Sequence, residues 1–260
     1  MTSIVSRLAA VAAFIIASLT YASAAEIKVF STVGVKHVLE ELTPTFEKVS
    51  GHKLNIIWGT GASLAKRMHD GEQADVAILT RQGLDSVLKD GKAVGGTERN
   101  FASSRLGVAV PKGAPKPDIS TPEAFRAALL GAKTVSYPDP ARGGVATTHL
   151  LKVAESLGFA DQLKAKAKHA PSGMAADLLV NREADIAVQQ IPEMVVPGVE
   201  IVGPFPGNLD LVTSFAGAVG NGTAHPDAAK ALLDFLQAPE AAALFKANGY
   251  DPPPLATKPS

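Results

Sequence analysis

The 260-residue chain contains no cysteine. It can therefore form no disulfide, and thiolate zinc sites and a cysteine nucleophile are excluded. Stability must come from a hydrophobic core, and a hydrophobic share of 46% is enough to build one.

Aromatic residues and surplus charge are also scarce. The chain has one Trp and three Tyr, and its 25 basic residues are balanced by 25 acidic ones, with no basic block. Nucleic-acid binding calls for a basic surface, often with stacking aromatic rings. We therefore expect no nucleic-acid partner.

The first residues have the pattern of a cleavable export signal, which we place at 1–24. Arg7 is its charged region, Leu8 to Leu19 its apolar region, and Ala22-Ser23-Ala24 its small-residue cleavage site. The apolar run is shorter than the ~20 residues of a membrane span, which favours a signal over an anchor. We expect a periplasmic protein, and no cysteine is present to carry a lipid anchor.

Short apolar runs alternate with helical patterns along the rest of the chain, which is typical of βαβ units on a parallel sheet. Strands are predicted over 29–30, 54–57, 76–79, 106–110, 134–137, 186–189, 199–202 and 211–219. Helices are predicted over 35–46, 63–68, 83–88, 145–157, 172–182, 226–236 and 239–248, with another beginning at Thr121-Pro122. The segment Gly91 to Ser104 is predicted to be a loop.

This order predicts an α/β protein of two lobes with a hinge and a cleft between them. Lobe one comprises 25–104 plus 205–260, and lobe two comprises 105–204. The C-terminal helices are expected to pack on lobe one. Ligand sites favour such a cleft.

Ligands of α/β sheets bind at the carboxyl ends of strands, and helix N-termini there favour anions. This rule selects several turns that follow a predicted strand or precede a predicted helix. The candidate ligand-binding residues are Ser31, Thr32, Gly34, Thr60, Gly61, Ala62, Ser63, Arg81, Arg142, Gly143, Gly144, Ser172, Gly173, Gln189 and Gln190.

Each candidate also has an ordinary structural interpretation. Glycine-rich turns are common before helices, and Arg81 is equally a surface cation. Arg142 has small neighbours that leave room for a ligand. The adjacent amides of Gln189 and Gln190 are costly to bury unless satisfied, and we favour ligand contact over an internal hydrogen bond.

Motifs for metals and cofactors are absent from the sequence. The six histidines show no metal-ligand spacing, and no dinucleotide or P-loop pattern occurs. Ser63 lacks the context of a nucleophile elbow. We expect neither a metal nor a cofactor.

The order of several motifs resembles the periplasmic molybdate-binding proteins of ABC importers. The motifs are the run from Val29 to Phe46, Gly71-Glu72-Gln73-Ala74-Asp75-Val76, Tyr137-Pro138-Asp139-Pro140, Glu183-Ala184-Asp185-Ile186-Ala187 and Pro239-Glu240-Ala241-Ala242. The resemblance covers nearly the whole mature chain. It implies a type II periplasmic binding fold that closes by a hinge on an oxyanion.

The ligand positions depart from that family's pattern. Two hydroxyl positions fall on Gly34 and Gly61, and a tyrosine position falls on Gln190. Ser31, Thr32, Thr60 or Ser63 could supply hydroxyls instead. The glycines widen the cleft, and arginines grip carboxylates in a bidentate way, so a carboxylate ligand is favoured over molybdate.

The Gln-Gln pair and the segment Pro115 to Ser120 are similar to a divergent branch of the family, the exported aconitate isomerases. Two functions therefore stay open. The first is a solute-binding protein for an anion, which we expect to be a monomer with an ABC permease as its partner.

The second function is a cofactor-free isomerase that moves a double bond in a tricarboxylate. Lys36, Arg81, Arg142 and helix N-termini would anchor carboxylates. A proton shuttle is also required, and the candidates are His149, Asp139, His37 and Glu193. Molybdate or tungstate binding and a sensor domain remain further alternatives.

Replacing Arg142 by Ala is predicted to weaken carboxylate binding at least tenfold, roughly 1.4 kcal/mol, because a bidentate anchor is lost. Isothermal calorimetry with a tricarboxylate checks this. An unchanged affinity would remove Arg142 from the site.

Overall fold

The computed structural model describes residues 24–142 and 144–253, without the side chain of Arg142. Residues 1–23 of the predicted export signal and Gly143 lie outside the described residues.

The first lobe is built on a mainly parallel sheet. Strands β1 (Glu26–Thr32), β2 (Lys53–Gly59) and β3 (Val76–Thr80) are parallel, in the order β2-β1-β3. Strand β9 (Val212–Val219) pairs antiparallel with β3, and the long strand β4 (Arg99–Pro111) pairs with β9. Helices α1 (Lys36–Ser50), α2 (Gly61–His69) and α3 (Arg81–Lys89) follow β1, β2 and β3.

The apolar face of α1 enters the core of this lobe. Its buried residues Val38, Leu39, Leu42 and Phe46 recur at helical spacing and join Phe245 in one cluster. The C-terminal helices α8 (Pro226–Leu236) and α9 (Pro239–Ala247) contribute to the same cluster. The predicted packing of these helices on the first lobe is therefore confirmed.

The second lobe has its own sheet and core. Strands β5 (Val135–Ser136), β6 (Ala167–Lys168) and β7 (Ile186–Gln190) are parallel, and β7 pairs antiparallel with β4. Strand β8 (Val199–Pro204) pairs with β4. The helices of this lobe are α4 (Pro122–Gly131), α5 (Val145–Ser156), α6 (Ala160–Ala165) and α7 (Ala175–Val180).

Two segments of the chain connect the two lobes, namely strand β4 and the segment between β8 and β9. The first part of β4 pairs with β9 as far as Arg105, and from Leu106 onward it pairs with β7 and β8. Arg105 and Asp210 form an ion pair of 2.7 Å between β4 and the segment before β9. The two lobes agree with the predicted fold class, while the stated lobe limits stay a prediction.

The prediction of a loop through Ser104 was wrong for residues 99–104, which belong to β4. The polar residues of this segment do not alternate with apolar ones as a strand pattern requires. Their hydroxyl groups instead form hydrogen bonds with residues distant in the chain. Ser103 donates to the carbonyl of Pro252 at 2.9 Å, and Ser104 donates to Oε1 of Gln190 at 2.8 Å. Both serines are buried.

Other boundaries differ by smaller amounts. The sequence reading missed α6 and β6 and made α7 too long. The helix start at Thr121 is confirmed, because its hydroxyl accepts a hydrogen bond from the N–H of Ala124 at 3.1 Å. Among the described residues, the helices are too short or too polar to cross a membrane.

We predict that Gly220→Ala destabilises the protein by about 2 kcal/mol, because overpacking forces the backbone to shift. A Cβ at Gly220 would lie 1.8 Å from the carbonyl oxygen of Ala74. Urea denaturation gives the free energy of unfolding. Gly95→Ala is the matched control, since a Cβ there would meet no atom within 4 Å. Equal stability of the two variants would contradict the prediction.

Candidate functional site

Three turns converge at one edge of the first lobe's sheet. The strands β1, β2 and β3 are parallel, and Thr32 at the end of β1 is in register with Gly59 at the end of β2. Their following turns therefore lie side by side. A Cβ at Gly61 would be 3.2 Å from Oγ1 of Thr80, which shows how closely the second and third turns approach.

A threonine begins each of these three turns and caps the helical segment that follows. The hydroxyl oxygens of Thr32, Thr60 and Thr80 accept from the N–H groups of Gly34, Ser63 and Gly83, respectively, at 3.4, 3.1 and 3.4 Å. A hydroxyl that accepts from a backbone N–H can still donate its own hydrogen. The edge therefore offers hydroxyl donors beside helix N-termini, which suits an anion.

Thr80 was not among the predicted ligand-binding residues. Thr80 is the N-cap of α3, as Thr32 and Thr60 are the N-caps of the helical segments that follow β1 and β2. Comparing the three strand ends in the sequence would have found it.

The glycines in these turns make close packing possible. A Cβ at Gly34 would lie 2.9 Å from Cε1 of Phe215, so a larger residue would require this ring or the turn to move. Gly34 thus lets the first turn lie directly against β9.

Other predicted residues of these turns have local partners. Ser63 donates to the carbonyl of Thr60 at 2.9 Å, and Ser31 is buried with its hydroxyl 3.3 Å from the carbonyl of Thr32. Ala62 is exposed in the first turn of α2.

The two cations of the first lobe that were named as possible anchors, Arg81 and Lys36, have acidic neighbours. Arg81 begins α3 and pairs with Asp85 at 2.7 Å, with a weaker contact to Asn100 at 3.4 Å. Lys36 lies 3.7 Å from Glu40 and above the ring of Trp58. These contacts agree with the surface-cation interpretation of Arg81, and its contact with a ligand stays a prediction.

Loops of the second lobe follow the parallel strands β5, β6 and β7. Ser172 donates to Asp177 at 2.5 Å and accepts from the N–H of Met174. Gly173 takes a positive φ of 87°, which suits the tight turn before α7. Gly144 precedes α5 and is exposed.

The two adjacent glutamines have internal hydrogen bonds. Gln189 accepts from the N–H of Ala175 at 2.7 Å and donates to the carbonyl of Gly173 at 3.3 Å. Gln190 accepts from Ser104 and donates to Thr213 at 3.2 Å. Internal hydrogen bonding was the interpretation of these amides that we favoured less from the sequence. Ligand contact by either amide stays a prediction.

The two residues predicted to be catalytic also have defined local contacts. Nε2 of His149 lies 2.7 Å from the carbonyl oxygen of Leu209, and because a carbonyl only accepts, this nitrogen carries a hydrogen. Asp139 accepts from the N–H of Ala141 at 2.9 Å. These contacts give both residues a structural role, and their role in proton transfer stays a prediction.

An acid and a phenol lie near the first of the three turns. The hydroxyl of Tyr250 donates to the carbonyl of Gly34 at 2.5 Å. Burial raises the pKa of Glu193 to about 7, although hydrogen bonds from Gln189 and Gln190 act in the opposite direction. The sequence analysis named Glu193 only as one of several acids and had no signal for Tyr250.

Groups of three or more acidic or histidine side chains that could hold a metal ion do not occur in the described part of the chain.

We predict that Gly34→Ala weakens binding of the ligand about tenfold, because the first turn must move away from Phe215. Calorimetry measures the affinity, and thermal denaturation shows whether the fold is retained. Gly51 has open space around it, but its φ of 75° makes it an unsuitable control. Gly95→Ala is suitable, and an affinity loss as large in that variant would contradict the prediction.

Comparisons with known proteins agree with this geometry. A family model described as bacterial extracellular solute-binding protein matches residues 27–251. Aconitate isomerase from Pseudomonas sp is 32% identical over 232 residues, which cover 87% of each chain. The molybdate-binding protein ModA from Escherichia coli strain K12 is 27% identical over 244 residues, covering 91% of this chain and 93% of that protein.

A solved structure supports the fold independently. The periplasmic molybdate-binding protein of Azotobacter vinelandii superposes with a TM-score of 0.65 at 22% identity, covering 87% of this chain and 99% of that one. The match extends over both lobes, and the family model covers nearly all of the described residues. The chain therefore belongs to the bacterial extracellular solute-binding proteins and has the type II periplasmic binding fold.

Proposed function

We propose that the protein binds a small anion in the cleft between its lobes. The observation that carries this proposal is the row of threonine-capped turns after β1, β2 and β3. Hydroxyl donors and helix N-termini that converge at one sheet edge stabilise negative charge without a metal. Two relatives named for anions, molybdate in one case and aconitate in the other, support the same class of ligand.

Within this class, an organic carboxylate is the ligand we favour. Phe215 and Thr80 occupy the space beside Gly34 and Gly61, so these glycines do not widen the cleft, and the preference for a carboxylate depends on the predicted arginine anchor. Arg142 is the predicted bidentate anchor, since a guanidinium matches the geometry of a carboxylate.

Export and transport form part of the proposal. The predicted signal over residues 1–24 directs the mature chain to the periplasm. A binding protein there would deliver its ligand to an ABC permease, and we expect it to act as a monomer.

The second candidate function is cis–trans isomerisation of aconitate, which the 32% identity with aconitate isomerase specifically favours. The reaction breaks a C–H bond at the methylene carbon and moves the double bond. It returns a proton to the former vinyl carbon, so no oxidant or reductant is consumed. One acid–base group is enough to carry that proton.

The first experiment compares ligands by thermal shift and calorimetry of the purified mature protein, using molybdate, sulfate, citrate, cis-aconitate and trans-aconitate. We expect a tricarboxylate to stabilise the protein more than molybdate, because binding to the native state raises the melting temperature. Stabilisation by molybdate alone would reject the carboxylate, and stabilisation by none of the anions would reject the anion site.

The same samples test for catalysis. The protein is incubated with each aconitate isomer, and both isomers are followed by chromatography. Interconversion at a rate proportional to protein concentration would establish the isomerase, whereas binding without interconversion would leave a solute-binding protein.

A further inference from the structure

Glu193 lies in a short turn that links the end of β7 to the core of the second lobe. The turn spans Ile191–Met194, and Met194 is fully buried against the residues of α7. Glu193 itself is only partly exposed. Glu193 follows β7 by three residues, so it lies near the carboxyl end of that strand, the edge at which ligands of such sheets bind.

The first lobe reaches the same place through its C-terminal segment. A Cβ at Gly249 would lie 2.7 Å from Cγ2 of Val195 and 3.3 Å from Cγ2 of Ile191, so this segment touches the turn that carries Glu193. The next residue, Tyr250, donates to the carbonyl of Gly34. The pKa of Tyr250 is raised by burial and, to a smaller extent, by the negative charge of Glu193. Glu193 thus lies between the β7 edge of one lobe and the Gly34 turn of the other.

No cation among the described residues compensates the charge of Glu193. Gln189 and Gln190 lower the pKa of Glu193, but both are neutral groups, and the rise in pKa caused by burial is larger. Charged groups on neighbouring elements have other partners. These pairs are Arg105 on β4 with Asp210, Glu200 on β8 with Lys116, and Asp177 on α7 with Ser172. A carboxylate taken from water without a counter-ion is costly, so the neutral acid is favoured.

A neutral carboxylic acid is a hydrogen-bond donor, unlike a carboxylate. Such an acid at the cleft can donate to an anionic oxygen of a ligand, and a charge-assisted bond of this kind is stronger than a neutral one. The ligand's negative charge in turn favours the protonated acid. Binding of the anion and protonation of the side chain therefore strengthen each other.

We propose that Glu193 is a ligand-binding residue that contacts a carboxylate ligand as the neutral acid, so that one proton is bound together with the anion. This inference rests on the proposed anion site. It adds a donor that belongs to neither the threonine-capped turns nor the predicted arginine anchors.

The sign of the pH dependence follows from this linkage. The acid is available to the ligand below a pKa of about 7 and is lost as the pH rises through that value. With trans-aconitate, we expect the affinity of the wild type to fall about tenfold between pH 6 and pH 8. Glu193→Gln keeps a donor at every pH, so its affinity should lack this part of the pH dependence.

The experiment is calorimetry of wild type, Glu193→Gln and Glu155→Gln with trans-aconitate, and in parallel with molybdate, from pH 6 to pH 9. Glu155 is exposed on α5 and serves as the matched control, which should behave as the wild type does. Titration of the ligand itself affects all three proteins equally. Equal pH profiles for wild type and Glu193→Gln would overturn the inference.

A second measurement needs only the wild type, in case the variant does not fold. Binding heats at pH 8 in triethanolamine and in Tris, two buffers that add no oxyanion, differ by the protons exchanged, and we expect uptake of close to one proton per ligand. Binding without proton uptake would overturn the role of Glu193 and leave the anion site intact. Absence of binding by both anions at pH 6 would instead reject the proposed function, and the inference with it.

Discussion

The strand β4 is the element on which the arrangement of the protein depends. Its 13 residues from Arg99 to Pro111 pair first with β9 and then with β7 and β8, so both sheets share one continuous backbone. Backbone hydrogen bonds fix each half of the strand to its own lobe. The carboxyl edges of both sets of parallel strands can therefore border one cleft, and bending near Leu106 would change their separation without breaking either core.

The chemistry at that cleft comes largely from how helices begin. Thr32, Thr60 and Thr80 each use a hydroxyl oxygen to satisfy a backbone N–H where a strand turns into a helical segment. The same hydroxyls remain donors, so local folding and the proposed anion binding would use the same residue type.

Glu193 has the opposite electrostatic character from the rest of the site. A half-buried acid without a counter-ion repels an anion when charged and attracts it when protonated. The negative charge of Glu193 raises the pKa of Tyr250, and the hydroxyl of Tyr250 donates to the carbonyl of Gly34. This acid is therefore coupled to the C-terminal segment that holds the Gly34 turn. The same acid could serve a carrier as a donor or an isomerase as a proton shuttle, which connects the two functions found among the relatives.

The sequence by itself determined the α/β class, most helices and strands, and the two turns after β1 and β2, because hydrophobic periodicity and capping residues are local signals. It did not determine β4 before Leu106, since Ser103 and Ser104 become strand residues only through partners distant in the chain. Only the tertiary structure decided that Tyr250 lies beside the Gly34 turn and that Glu193 has no cationic partner in the described part of the chain. Tyr250 and Gly34 are far apart in the chain, so no local sequence pattern connects them. The burial that raises the pKa of Glu193 exists only in the folded chain.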